Sequence, residues 1–370
     1  MTSKTLLSHA CIQCGRCSGG CPVAYKSGLN VRRLVYYRLH GLLPPPQSAD
    51  ETGLWECTTC NTCSLRCPKQ VEPAQLLVEM RSQVVESGRM HPNIQAVLES
   101  TYLQGNPWSR AREKRYQWAA DLNLRVLAPG DYADNLLYIC CTSCYDPRCQ
   151  QVIRSLVSIL QQTDVDFGVL GTEETCCCSE QLRMGELGMF EELAKANLDV
   201  IRHRRFRRIV TVSPHCLNAL RSDYPDLGVP VLHYTQLLAE LLEEGRLKIP
   251  RTVDFTVTYH DPCYLGRRNR IYDEPRTILT ALAGDRFLEF DRRRETSLCC
   301  EGGGGRMWTE SAGQGRLAET RVLDAIAMSA NVIASACPFC LLTLEDAVKT
   351  TSSEERVRIR DLAELVAETL

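Results

Sequence analysis

Two copies of one cysteine run occupy the first 67 residues: Cys11, Cys14, Cys17 and Cys21 before Pro22, and Cys57, Cys60, Cys63 and Cys67 before Pro68. Both read C-x2-C-x2-C-x3-C-P, the spacing in which three close thiolates hold one [4Fe-4S] cube and the fourth reaches the other cube. The inferred ligand sets are Cys11, Cys14, Cys17 and Cys67 for one cluster, and Cys57, Cys60, Cys63 and Cys21 for the second. Structural zinc usually takes separated C-x2-C pairs, and a doubled triplet with a distant fourth cysteine has no obvious tetrahedral partition. A disulfide framework fits worse, because 21 cysteines without a secretory segment suggest a reducing interior where thiolates serve metals.

A length of 370 residues suits two or three domains, and a net charge of -2 gives no general nucleic-acid signal. The opening MTSKTLLSHACIQC has no apolar stretch suited to a signal peptide. The longest apolar runs, such as 333–344, are interrupted and too short to span a bilayer. A cytoplasmic protein is expected, with any membrane association made through a partner. One basic run, Arg202 to Arg208, reads either as a solvated helix C-terminus or as a docking patch for an acidic redox partner.

Between the cysteine runs, Val31, Leu34, Val35 and Leu39 have helical periodicity, ending at Gly41 before three prolines. Pro73 starts a further helix with Leu76, Leu77, Met80 and Val84 on one face. Residues 1–100 thus form a helical, ferredoxin-like two-cluster module, and 101–130 a connecting segment. From Leu136 onward strands alternate with helices, and the series occurs twice, over 131–245 and 251–370, which implies duplicated βαβ units in an α/β body. The closing segments LHYTQLLAELL and IRDLAELVAETL match.

Each repeat places thiols after its first strand, before its middle helix and after its third main strand. In the second they are Cys263, Cys299, Cys300, Cys337 and Cys340, a C-x35-CC-x36-C-x2-C array. Loops at the carboxyl ends of parallel strands converge on one crevice, so these distant thiols can meet there. Five sulfurs exceed the four that a cubane needs.

This array, with YHDPCYLGR, GGGGRMW and SPHC, resembles the CCG domain of heterodisulfide reductases and related iron-sulfur oxidoreductases. CIQCGRCSGGCP and CTTCNTCSLRCP resemble the small ferredoxin-like subunit of the same enzymes, and together they match the family's fused D-type subunit. The resemblance implies that Cys263, Cys299, Cys300, Cys337 and Cys340 bind a noncubane [4Fe-4S] cluster. In the first repeat the array falls on Cys141, Cys176, Cys177 and Cys216, with Ser213 where a further cysteine is expected; four thiols suit a cubane or a modified site. Glu301 replaces the expected glycine after Cys300, with Gly302 to Gly305 next. Cys140, Cys144, Cys149 and Cys178 are left over, either as inert buried thiols or as substitute ligands. The glycine run lacks a phosphate-loop signature and reads better as letting backbone N–H groups approach cluster sulfur. Pro22, Pro68, Pro262 and Pro338 fix the chain beside ligands. His260 and Asp261 read equally as proton donors to a departing thiolate or as a structural turn.

The resulting expectation is an iron-sulfur oxidoreductase subunit. Two cubanes relay electrons to or from the C-terminal site, which reduces a disulfide, in company with a flavoprotein or other redox subunits and a membrane subunit. The rival expectation is a non-catalytic electron carrier between a flavoprotein and a larger complex or membrane quinone reductase. A nucleic-acid partner is not expected, since no DNA-binding helix pair or basic domain is evident.

Overall fold

The computed structural model describes residues 8–310 and 315–370; the opening residues 1–7 of the N-terminal module lie outside it. Two four-stranded sheets with one strand order form the body. The first contains β1 (Tyr132–Tyr138), β2 (Phe167–Gly168), β3 (Arg205–Thr211) and β4 (Val231–His233), ordered β2-β1-β3-β4. The second contains β5 (Val257–Tyr259), β6 (Phe287–Leu288), β7 (Val332–Ser335) and β8 (Arg358–Asp361), ordered β6-β5-β7-β8. Every pairing is parallel, as connections through helices require. The duplication expected from sequence is therefore present in the topology.

The β-branched and apolar runs form the central strands because both sheet faces are covered. Leu136, Leu137, Ile209 and Val210 in the first sheet, and Val257, Val332 and Ile333 in the second, are buried. In each sheet the first strand lies between the second and third, so the chain reverses its lateral direction there. Loops leaving the carboxyl ends of those strands open a crevice at this switch point. The repeats share one apolar core. Helix Pro147–Gln162 packs on Leu362–Ala367, and Tyr234–Glu243 packs on Asp273–Ala283.

The N-terminal module is helical. Asn30 caps Val31–Leu39, its side chain accepting from the Arg33 N–H, and Pro73 opens Pro73–Glu86 at a position whose N–H has no helical partner. Its core extends into the second repeat: Cys263, Tyr264, Cys299 and Leu317 pack with Cys57, Cys60, Leu76 and Met80. Beyond helix Pro92–Gln104, Trp118, Ala119 and Leu127 enter the core of the first repeat, and Val126 bridges to Val169.

Candidate iron-sulfur sites

Cys11, Cys14, Cys17 and Cys67 line one cavity with Arg16, Arg32 and Lys69. Cys14 is exposed and the other three partly so, which puts this set at the surface. Cys21, Cys57, Cys60 and Cys63 are buried. Burial, then the negative charges of Cys60 and Cys57, push the Cys21 thiol up to about 12; burial, then Cys57, Cys60 and Cys21, raise Cys63 well above the ordinary range. Cys21 thus faces the second triplet while Cys67 faces the first, the crossed arrangement read from the motif. Thiol-only sets grouped in this way suit an iron-sulfur core, whose iron favours soft anionic sulfur.

The two ligand loops share a backbone pattern. Gln13 and Gly15 flank Cys14 with φ of 53° and 79°, and Thr59 and Asn61 flank Cys60 with 52° and 67°. Positive-φ residues on both sides of the middle cysteine curl each loop's backbone, the kind of local geometry from which backbone N–H groups can be turned toward an anion.

In the second repeat the five thiols of the array meet. Cys337 caps helix Pro338–Thr350 and Cys340 lies in its first turn, with Cys340 Sγ 3.2 Å from Cys300 Sγ. Cys299 contacts the thiols of Cys263, Cys300 and Cys60, the last belonging to the N-terminal module. Its partner Cys299, then opposing burial, leaves Cys60 well below the ordinary thiol range; Cys299 and Cys340 lower Cys300 likewise. These thiols share protons in a tight group, and thiolate character is what metal binding needs.

His260 lies with Cys300 and Cys340, their donor atoms all within 4.8 Å of one another. Burial lowers its pKa, against a hydrogen bond with Cys300. Asp261 is engaged elsewhere: Arg276 holds both its oxygens at 2.8 and 3.0 Å, and the Arg294 N–H donates to it at 2.8 Å. The two residues therefore serve different ends.

The glycine run lies against the second ferredoxin loop. A Cβ on Gly303 would come within 2.8 Å of the Thr58 carbonyl oxygen, and one on Gly304 within 2.4 Å of that of Cys57. Thr58 Oγ1 approaches Cys299 Sγ at 3.3 Å, and Thr59 Oγ1 meets the Tyr264 hydroxyl at 2.7 Å. Arg267 donates to the Cys60 carbonyl at 2.8 Å and Arg268 to that of Thr59.

Sequence reasoning missed two residues that assemble this junction, Arg81 and His215. Arg81, fully buried, donates to the carbonyls of Leu54 and Cys57 in its own module, of Arg183 in the first repeat at 2.9 Å, and of Gly304 in the second at 3.0 Å. His215, beside Cys216, contacts Cys337 of the second repeat, pairs with Glu180 at 2.8 Å and stacks on Tyr264 with ring centres 4.0 Å apart. Burial opposes protonation of His215, but Cys337 and Glu180 outweigh it and raise its pKa well above normal. SPHC is visible as a motif; that its histidine serves the other repeat is not.

In the first repeat Cys141 contacts Cys176, and Cys177 contacts Cys176 and Cys216. All four candidates are brought together. Ser213 caps helix Pro214–Asn218 and accepts from the His215 N–H at 3.3 Å. Of the leftover thiols, Cys140 contacts Cys216, Thr142 and Ser213. Hydrogen bonding from Cys216 brings it down to about 6. Cys178 donates to the Cys176 carbonyl at 3.4 Å, Cys144 lies near Arg115, and Cys149 sits against Asp146. Buried Arg115 donates to Cys141 Sγ at 3.4 Å and to the Ile139 carbonyl at 2.7 Å, and pairs with Glu174. Burial, against Arg115, raises the Glu174 carboxyl to about 7.

The chain matches two domain families: the 4Fe-4S dicluster domain over residues 8–71, and the Cysteine-rich domain over 137–221 and again over 257–345. It is 35% identical to the "Probable iron-sulfur-binding oxidoreductase FadF" of Bacillus subtilis over 86% of this chain and 47% of that one. It is 32% identical to the "EtfAB:quinone oxidoreductase" of Syntrophomonas wolfei over 98% of this chain and 58% of that one. Against the D-type subunit of the dihydromethanophenazine:CoB--CoM heterodisulfide reductase of Methanosarcina barkeri the identity is 30%, over 98% of this chain and 93% of the relative. The chain thus spans about half the length of the first two and nearly all of the third.

Proposed function

From the premise that this chain belongs to the family of D-type heterodisulfide reductase subunits, iron-sulfur oxidoreductases that join a 4Fe-4S dicluster domain to two cysteine-rich domains, we propose a directional electron relay ending in the second repeat. Cys11, Cys14, Cys17 and Cys67 would hold a surface cubane, and Cys57, Cys60, Cys63 and Cys21 a buried one. Cys263, Cys299, Cys300, Cys337 and Cys340 would hold a noncubane [4Fe-4S] cluster, and Cys141, Cys176, Cys177 and Cys216 belong to a further site in the first repeat. When bound, such clusters supply one-electron chemistry at potentials set by ligands, hydrogen bonds and burial.

The observation that carries this reading is the contact of Cys60 with Cys299, which joins a ferredoxin ligand loop to the second array. Arg81 and the glycine run hold the loop there, and the exposed first set is the natural point of entry for electrons. The proposed reaction takes two electrons from a reductant protein and two protons, and splits a disulfide into two thiols. His260, beside Cys300 and Cys340, would hold a proton; its Nδ1 is buried and has no hydrogen-bond partner among the described residues.

A second reading is favoured by the relatives. Electrons would pass between a flavoprotein and a larger complex or membrane quinone reductase with no substrate bound here; the name of the Syntrophomonas wolfei relative pairs EtfAB with a quinone for that protein. No helix among the described residues is long and apolar enough to cross a membrane. The test is turnover by the full chain, prepared anaerobically and reduced with an artificial one-electron donor. Disulfide cleavage supports the enzyme. Rapid reduction and reoxidation of all clusters without cleavage supports the carrier.

A further inference from the structure

The two repeats place their thiols in one contact pattern. Cys263 touches Cys299 as Cys141 touches Cys176, and Cys300 touches Cys340 as Cys177 touches Cys216. Cys299 touches Cys300 as Cys176 touches Cys177, which leaves one contact within the second array, Cys337 with Cys340. Its counterpart should join Cys216 to the residue at 213, where serine stands. Instead Cys216 is met by Cys140, whose sulfur lies within hydrogen-bonding reach of both Cys216 and Ser213.

We propose that Cys140 is the fifth thiolate of an iron-sulfur site in the first repeat, taking over the place left by Ser213, so that the set is Cys140, Cys141, Cys176, Cys177 and Cys216. This rests on the reading that the first repeat holds a cluster at all. Backbone geometry explains how the exchange works. Ser213 keeps the helix-cap position that Cys337 holds in the second repeat, but its side chain turns to its own helix. Cys140 begins the short helix Cys141–Tyr145 from an extended conformation, φ -59° and ψ 142°, and approaches the same crevice from the end of β1. A neutral hydroxyl is a poor ligand for this iron and a thiolate a good one.

The other leftover thiols do not fit the role. Cys178 meets the Cys176 thiol and carbonyl rather than Cys216 or Ser213, Cys144 lies beside Arg115, and Cys149 bonds Asp146. Cys140 alone among them joins Cys216 to Ser213. On this proposal the first repeat holds a five-thiolate site rather than the cubane or modified site that four thiols suit, and both repeats would carry the same kind of cluster.

The test uses the full chain purified anaerobically, with iron content, paramagnetic resonance and Mössbauer spectra as readouts and far-ultraviolet circular dichroism to establish folding. Cys140→Ser should lose about four irons per chain and one spectral component, Cys144→Ser should lose neither, and adding Ser213→Cys to Cys140→Ser should restore both. Full iron in Cys140→Ser with loss in Cys177→Ser would show that a cluster is present without Cys140. Full iron in both would remove the cluster from the first repeat, and the proposal with it. A folded double variant that stays iron-poor would contradict the exchange of positions.

Discussion

The two repeats have the same strand order and share most of their thiol contacts, yet they face different neighbours. The second is docked on the N-terminal module: Cys299 reaches Cys60, Gly304 abuts Cys57, and Tyr264 bonds Thr59. The first faces the Arg115–Glu174 pair and lends His215 to Cys337 across the boundary. A duplicated fold thus presents two different crevices without changing its topology, because the crevice at the switch point takes its character from what covers it. One copy is docked on the N-terminal module; the other supplies a side chain to that docked copy.

The largest expected effect breaks the comparison at its chemical end. Cys337→Ser should remove about four irons and abolish the spectrum of the second repeat's cluster, whereas Cys216→Ser should alter only that of the first. Iron counts and paramagnetic resonance of the two variants check this. Next comes the mechanical end. Arg81→Met leaves buried carbonyls of all three units without their donor, which should cost about 3 kcal/mol in chemical denaturation and slow reduction of the second repeat more than that of the surface cluster.

Gly304→Ala sharpens the same point with less disturbance. The added methyl meets the Cys57 carbonyl at 2.4 Å in a residue with φ of 67°, so a loss of roughly 1–3 kcal/mol is expected. Gly228→Ala, with φ of 70° and open space around it, should show the smaller cost of backbone strain alone. A pH-dependent effect lies where the repeats join. Burial raises the Asp361 carboxyl to about 7 against the hydrogen bond from the Tyr234 hydroxyl at 2.6 Å. The folded chain therefore keeps a proton that the unfolded chain gives up near pH 4. Its contribution to stability is full below that value, declines as pH rises to about 7 and is constant above. Denaturation midpoints at pH 5 and 8 should differ less in Asp361→Asn than in the parent.

The cysteine spacing and the doubled β-α series are legible because both are local: a ligand loop is written within eleven residues, and a strand within a few. The crossing of Cys21 and Cys67 follows from the motif alone. The junction is not legible, because it is made by residues far apart in the chain; Arg81 and Gly304 are 223 positions apart. The glycine run reads in sequence as close approach to sulfur, and its tight approach is to ferredoxin-loop backbone. The basic run reads as exposed, either as a helix end or as a patch. Only Arg202 ends a helix; Arg205 to Arg208 lie in β3, Arg204 is buried against Glu173, and Arg208 bonds Asn135 and Glu240. Alternating arginines on a strand resemble a charged cluster in sequence, and partners decide the difference. Spacing singles out Cys141 over Cys140, and only packing shows which neighbour meets Cys216.

The central claim, that electrons leave the buried cubane for the second repeat, is tested most directly by spin coupling in the reduced full chain. Paramagnetic resonance should show the signal of the Cys57, Cys60, Cys63 and Cys21 cluster split by a neighbouring spin, with the splitting lost in Cys337→Ser and kept in Cys216→Ser. A splitting lost in Cys216→Ser and kept in Cys337→Ser would place the electron exit in the first repeat and contradict the account.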